Sequence, residues 1–226
     1  MSAKADKSST GSTRVLTLEQ IIGSDSIQAG YLPRSKEAKD IKGDAVSNTG
    51  ELSFTNIRPD SSIEYPKNAT IVMADYCEDF IVRPDDVLFR GRVAPPVATY
   101  VNKEDLNDAL RDGENIHQFI YSSAIIRIRL TNASNVLCPI LPEYLAAYIN
   151  SPVAQRHFTK HTQGSIISGV GKRDLLTLPV YMPPLEDQER IAELVRVHSE
   201  YKKSSQALVD SYNSIIKFYF LSLPNN

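Results

Sequence analysis

Residues Leu185–Ser222 read LEDQERIAELVRVHSEYKKSSQALVDSYNSIIKFYFLS, a stretch without Gly or Pro. With no helix breaker, it predicts one continuous helix of about 37 residues, on the order of 55 Å. Counted in heptads from Ile191, the a and d positions are Ile191, Leu194, His198, Tyr201, Ser205, Leu208, Tyr212, Ile215 and Tyr219. Seven of these nine are apolar or aromatic, the mark of a coiled-coil seam. A second stripe, along the e side of the seam, carries Val195, Val209 and Ile216, with Phe220 beside it. A helix with two adjacent apolar stripes has to bury both. It could pack on its own globule or pair with another helix. The second reading is favoured because a globule of about 170 residues is only about 35–40 Å wide. His198 and Ser205 at seam positions are read as fixing register, not as binding a ligand.

Upstream of the helix the pattern is mixed. LLTLPVYMPP, Leu175–Pro184, reads as a final strand stopped by two prolines. Before it, LPEYLAAYINS and PVAQRHFTK space Leu141, Leu145, Tyr148, Ile149, Val153 and Phe158 at three- and four-residue steps. These are two short helices with Pro142 and Pro152 near their starts, where proline is tolerated. Between Glu51 and Leu130 the runs ELSFTNI, ATIVMADY, DDVLFR, PVATYV and SSAIIRIRL are short, β-branched or aromatic, and bounded by Pro, Gly, Asn and Asp. Such runs read as strands. VLTLEQIIG, from Val15, reads as a strand turning into a short helix, and Gly23–Gly50 as a long polar loop. The first residues are Ser, Thr, Lys, Ala, Asp and Gly, too polar to repay the entropy of ordering. The expected plan is therefore a disordered tail over 1–14, a globule over 15–184 and a long helix over 185–222. The fold class is α+β: a mixed α/β domain followed by a C-terminal coiled-coil helix.

The 226 residues carry a net charge of −2, with 42% apolar and 23% charged side chains. This composition buries a core and excludes indiscriminate coating of nucleic acid. Two cysteines, Cys77 and Cys138, with no CxxC, exclude zinc ribbons and disulfide-stapled folds. No apolar run reaches the roughly 18 residues of a membrane span. The polar start lacks a secretory leader. Together these imply a soluble protein of the cytoplasm.

The charges are unevenly spread. Asp75–Asp86 and Glu104–Glu114 hold ten carboxylates, whereas none occurs between Glu143 and Asp174. That gap carries Arg156, His157, Lys160, His161, Lys172 and Arg173, with Gln163 and Ser165 in the TQGS turn. It reads as a solvated face or as a surface that contacts phosphate and base edges. FRGR, Phe89–Arg92, sets Arg90 and Arg92 about a glycine. It is either an exposed turn or a pair of phosphate- or guanine-reading forks. Expected DNA contacts are thus Arg90, Arg92, Lys160, His161, Gln163, Ser165, Lys172 and Arg173. Arg127 and Arg129 either join these contacts or are salt-bridged to the acidic segments from their strand face.

Enzyme motifs are mostly missing. GVGKR, Gly169–Arg173, fails as a phosphate loop because Ile166 and Arg173 stand where Gly and Ser or Thr are required. No GxSxG, HExxH, GxGxxG or NPPY tetrapeptide occurs. The four histidines are too scattered to form a metal set.

Pro142–Val195 resembles the specificity (S) subunits of type I restriction–modification systems. The residues that carry the likeness are Gly164-Ser165, Ile166-Ile167, the Leu175–Pro179 strand, and the Pro-Pro-Leu-x-x-Gln-x-x-Ile opening of a long helix at Pro183–Ile191. PDDVLFRGR, Pro84–Arg92, and ELSFTNI are similar to earlier strands of that family. Its members usually carry two target-recognition domains and two long helices. One of each here resembles a half-subunit. The resemblance implies a target-recognition domain over 15–184 that reads one half of a bipartite site in double-stranded DNA. It also implies a helix that docks a methyltransferase (M) subunit and no catalysis or cofactor of its own. S-adenosylmethionine and any restriction (R) subunit would belong to partner chains. For the helix itself, the heptads suggest an antiparallel homodimer through Ile191, Leu194, His198, Tyr201, Leu208, Tyr212 and Ile215. The competing readings are a coiled-coil regulator or decoy of a methyltransferase complex, without sequence-dependent DNA retention, and a standalone nuclease, which would cut DNA without partners.

Overall fold

The structure is a computed structural model and describes residues 14–32, 47–69, 71–73, 75–130, 139–162 and 169–221. The expected tail lies almost wholly outside the described residues. The chain enters as β1 (Arg14–Thr17) and turns directly into α1 (Leu18–Ile22). Thr17 starts that helix with a capping box: its hydroxyl accepts from Gln20 N at 3.3 Å, and Gln20 Oε1 accepts from Thr17 N at 2.9 Å. The strand-into-helix reading of VLTLEQIIG holds.

A four-stranded antiparallel sheet forms the middle of the globule. It comprises β2 (Ile27–Ala29), β5 (Val87–Arg90), β6 (Val97–Tyr100) and β8 (Ile126–Ile128), in the order β2-β8-β5-β6. All four residues of β5 are buried because both faces of the sheet are covered. Val87 and Phe89 face one core, with Ala98 and Ile128. Leu88 faces the other, with Val97. Alternating side chains send neighbouring residues to opposite faces.

The second core lies under a three-stranded sheet: β3 (Ser47–Leu52) flanked by β4 (Ile71–Met73), antiparallel, and β7 (Gln118–Tyr121), parallel. Helix α2 (Lys103–Asp112) closes it through Leu106. The first core is closed by α1, α3 (Pro142–Asn150), α4 (Pro152–Thr162) and α5 (Lys172–Leu176). After α5 comes β9 (Pro179–Met182), which pairs antiparallel with β1, so the first strand and the last one lie together. Then α6 (Leu185–Leu221) runs for 37 residues.

Several sequence expectations are corrected here. The stretch from Gly23 is not all loop, since a 3-10 turn over Ser24–Ser26 leads into β2, and β3 begins at Ser47. ELSFTNI is a strand only to Leu52. Asn56 Oδ1 accepts from Ser53 N and Ser53 Oγ at 2.9 and 2.8 Å, and this turn breaks the extended run. The reading of ATIVMADY as a strand holds for Ile71–Met73, after which Asp75–Phe80 coils as a 3-10 segment. LLTLPVYM is split: Leu175 and Leu176 end α5, and only Pro179–Met182 is strand. Asp174 closes the first turn of α5 by accepting from Gly171 N at 2.8 Å. Helix α2 was not expected. Its signal is Asn102, whose Oδ1 accepts from Glu104 N and Asp105 N at 2.7 and 3.2 Å.

The Pro-Pro-Leu-x-x-Gln element has a structural explanation. Gln188 is 1% exposed. Its Oε1 accepts from Leu141 N at 3.0 Å, and its Nε2 donates to Pro139 O and Pro183 O at 3.0 and 3.1 Å. One amide thus staples the start of α6 to the segment that leads directly into α3. Among the described residues no helix is long and apolar enough to cross a membrane.

Candidate nucleic-acid interface

The basic surface begins where β5 ends. Val170 N donates to Gly91 O at 2.8 Å. A Cβ on Gly91 would sit 2.0 Å from Val170 O, so only glycine permits this backbone approach. The contact joins the FRGR turn to the GVGKR segment. Arg92 lies beside Gly169, and Lys172 and Arg173 open α5 immediately beyond. Helix α4 is fixed alongside. Gln155 Nε2 donates to Pro96 O at 3.0 Å, Phe158 packs on Phe89 with ring centroids 5.7 Å apart, and His157 Nε2 lies 3.5 Å from Thr177 Oγ1.

This framework places Arg92, Arg156, Lys160, Lys172 and Arg173 on the surface. None forms an ion pair with a described residue. Lys172 commits one of its three ammonium protons to Ile27 O, at 2.8 Å, and two stay available. The acidic helix α2 belongs to the core on the other face of the four-stranded sheet. That separation gives a chain of net charge −2 a local positive face. Of the remaining sequence candidates, His161 falls on α4. Gln163 and Ser165 lie outside the described residues.

Arg90 is corrected. It is 7% exposed and donates from Nη1 to Ile57 O at 2.7 Å, with Phe54 O at 3.4 Å. It shares the face of Leu88, so the strand turns it into the second core, where it holds the turn after β3. Arg127 and Arg129 are structural as well. Arg127 donates to Gln28 Oε1 at 2.8 Å and to Asp79 O at 3.2 Å, and lies over the Tyr121 ring at 5.9 Å. Burial lowers its pKa, and burial pushes the Tyr121 hydroxyl up to about 12. Arg129 grips Asp86 with Nε and Nη2, both at 2.7 Å, and Asp86 is fully buried. The sequence allowed salt-bridging for this strand face, and the Arg129–Asp86 pair is of that kind.

The side of α6 that faces the globule is not its apolar seam. Gln188, Ala192 and Ser199 are covered or half-covered, and Lys203 Nζ reaches Asp105 at 3.2 Å. At 100° per residue these lie within roughly 60° of one another, and the a/d stripe is centred roughly 140° round the helix. Leu194, Tyr201, Leu208, Tyr212 and Ile215 are accordingly 58–71% exposed. His198 is exposed too, and Ile191 is 37% exposed. Among the described residues no His, Cys, Asp and Glu group is placed to hold a metal ion.

The family model for the type I restriction modification DNA specificity domain matches residues 24–206. The chain belongs to this family. Its fold is similar to a chain in a structure on complex assembly and conformational transition of the type I R-M system, at 15% identity and TM-score 0.55. That match covers 93% of this chain and 44% of the other. It is also similar to the HsdS subunit from Thermoanaerobacter tengcongensis, at 15% identity and TM-score 0.52, over 93% of this chain and 48% of that one. The chain therefore spans less than half the length of these two structures. No curated protein matches it in sequence. Of its exposed cations, Arg156, Lys160, Lys172 and Arg173 are carried by α4 and α5, whereas the buried Arg90 and Arg127 hold the sheet. In sequence the two groups look alike. Alternation along β5 was the available clue for Arg90.

Proposed function

We propose that the chain reads one half of a bipartite double-stranded DNA site for a restriction–modification complex. Methyl transfer, with S-adenosylmethionine, would be carried by a partner methyltransferase subunit, and cleavage by any restriction subunit. The observation that carries this reading is the unpaired cationic face of Arg92, Arg156, Lys160, Lys172 and Arg173, held by the Gly91–Val170 contact in a chain of this family. Five exposed cations offer phosphate contacts, and His161, Gln163 and Ser165, which follow Lys160 in the sequence, carry donors and acceptors suited to base edges. Few phosphate contacts and a net charge of −2 give modest affinity for one copy. Engagement through a complex raises it by effective concentration. Replacing Arg92 and Arg173 by Ala should weaken binding and lower the slope of log K against log salt by about 0.9 per lost phosphate contact. An unchanged slope removes this face from the interface.

The uncovered seam of α6 supports a second copy as the partner of this helix. In an antiparallel pair Ile191 meets Ile215, Leu194 meets Tyr212, His198 meets Leu208 and Tyr201 meets Ser205, all centred on Lys203. Two recognition domains at opposite ends of such a rod suit a palindromic, bipartite target. Light scattering tests this. A monomer mass at micromolar concentration, unchanged by Leu194→Asp with Leu208→Asp, overturns the dimer. A parallel pair is revealed if cysteines at positions 191 and 215 fail to cross-link.

A further inference from the structure

Helix α6 divides into two halves of nearly equal length. The ion pair of Lys203 with Asp105 is the outermost polar link between helix and globule among the described residues. Lys203 is also the midpoint of Leu185–Leu221. The half beside the globule and the half beyond it are thus each roughly 27 Å long. In the antiparallel pair proposed above, the overhang of one copy runs along the supported half of the other and ends level with its start.

The overhang is too apolar for a single helical neighbour. Besides its seam residues, Val209, Ile216 and Phe220 on one flank are 50–67% exposed, and Phe218 on the other is 74% exposed. From Phe218 round to Phe220 the apolar side chains cover roughly 200° of the circumference, about twice the stripe that one amphipathic contact buries. A second surface is needed on the Val209 flank. The globule has a groove at the matching place, of about 930 Å³, between α6 and the α2 and α3 helices. Its floor offers the small Ala146, Ala147, Ala192 and Ser199 together with Val195 of the e flank, and charged residues such as Asp105, Glu143, Glu189 and Glu193 share the lining. In the register centred on Lys203, Val209 of the second copy comes level with Val197, and Ile216 with Arg190. These levels bracket Ala192 and Val195. From Ser211 to Leu221 the overhang carries one charge, Lys217. It follows Ile216 and comes level with Glu189, on the rim of the groove.

We propose that this groove receives the Val209–Ile216–Phe220 flank of the second copy's α6, so that each globule grips the partner's helix as well as its own. The inference rests on the antiparallel homodimer. The test uses full-length protein. First, light scattering and sedimentation give the dimer constant of the wild type. Ala147→Arg, which fills the groove, and Ile216→Glu, which is exposed in the single chain and so leaves its fold intact, should each weaken the dimer at least tenfold. Second, in a Cys77→Ser, Cys138→Ser background, an Ala147→Cys chain mixed with a mass-tagged Ile216→Cys chain should give a mixed cross-link with a short bismaleimide. A wild type that is monomeric throughout overturns the homodimer and the groove together. A stable wild-type dimer that Ala147→Arg leaves unchanged, with no mixed cross-link, overturns the groove alone.

Discussion

Replacing Gly91 by Ala tests whether one backbone contact organises the cationic face. A Cβ there would lie 2.0 Å from Val170 O and 2.6 Å from Phe89 Cε1, against an ordinary contact distance of 3.4 Å or more. The two segments must separate by more than 1 Å. The hydrogen bond from Val170 N to Gly91 O, now 2.8 Å, then opens beyond reach. Overpacking of a filled core costs about 1–3 kcal/mol. Leaving a buried amide and carbonyl unpaired costs about 1–3 kcal/mol more. The expected loss is therefore about 2–6 kcal/mol, a large share of the roughly 5–15 kcal/mol that holds a domain. Gly169 is the internal control. Its nearest neighbour to an added Cβ is Arg92 Cα at 3.5 Å, and its φ is not in the left-handed region. Gly169→Ala should stay within about 0.5 kcal/mol of wild type. Urea unfolding at a common m-value measures both. DNA retention against salt should show a lower slope for Gly91→Ala at temperatures where it stays folded, because the turn that carries Arg92 moves away from the segment that leads into α5. Equal stabilities for the two variants, or a Gly91→Ala protein that matches wild type in stability and salt slope, would refute the reasoning.

Gln188→Ala should cost about 2–4 kcal/mol, because Leu141 N, Pro139 O and Pro183 O lose their partner together. Hydrogen exchange at Leu141 N should rise in step, and unchanged protection there would show that the staple is dispensable. Arg129→Met should cost about 3–5 kcal/mol by leaving the fully buried Asp86 without its counter-charge, held among the described residues only by Arg83 N at 2.8 Å, and adding Asp86→Asn should restore much of it. The DNA salt slope of the folded Arg129→Met protein should equal that of wild type, and a reduced slope would return Arg129 to the interface. Glu51 is half-buried, and burial raises its pKa. A folded pKa above the unfolded one contributes stability that is present at low pH and lost as pH rises through the folded value. Glu51→Gln should therefore be the more stable protein at pH 7, with the advantage shrinking as pH falls toward the ordinary carboxylate range. Urea midpoints across that range check the sign, and a difference independent of pH would contradict it.

The sequence alone determined the features whose cause is local. An unbroken 37-residue helix follows from the absence of Gly and Pro, and its seam follows from the 3.5-residue period. The carboxylate-free stretch after Glu143 located most of the cationic face, because charge density is a property of the segment itself. The strand-into-helix turn of VLTLEQIIG was legible in the same way, since its cause is a capping box within four residues, Thr17 to Gln20. What only the tertiary structure decided depends on partners distant in the chain. Arg90 finds Ile57 33 residues away, Arg129 finds Asp86 at 43, and Gln188 finds Pro139 at 49. Period-2 alternation says that Arg90 and Leu88 share a face, but not which face of the sheet is covered or by what. Strand order was equally beyond local reading, since hydrophobic strands carry no label for their neighbours, and β1 pairs with β9 across the whole domain. An arginine in water and an arginine holding a buried carbonyl are the same letter. Their difference is desolvation, which exists only once the chain has closed around one of them.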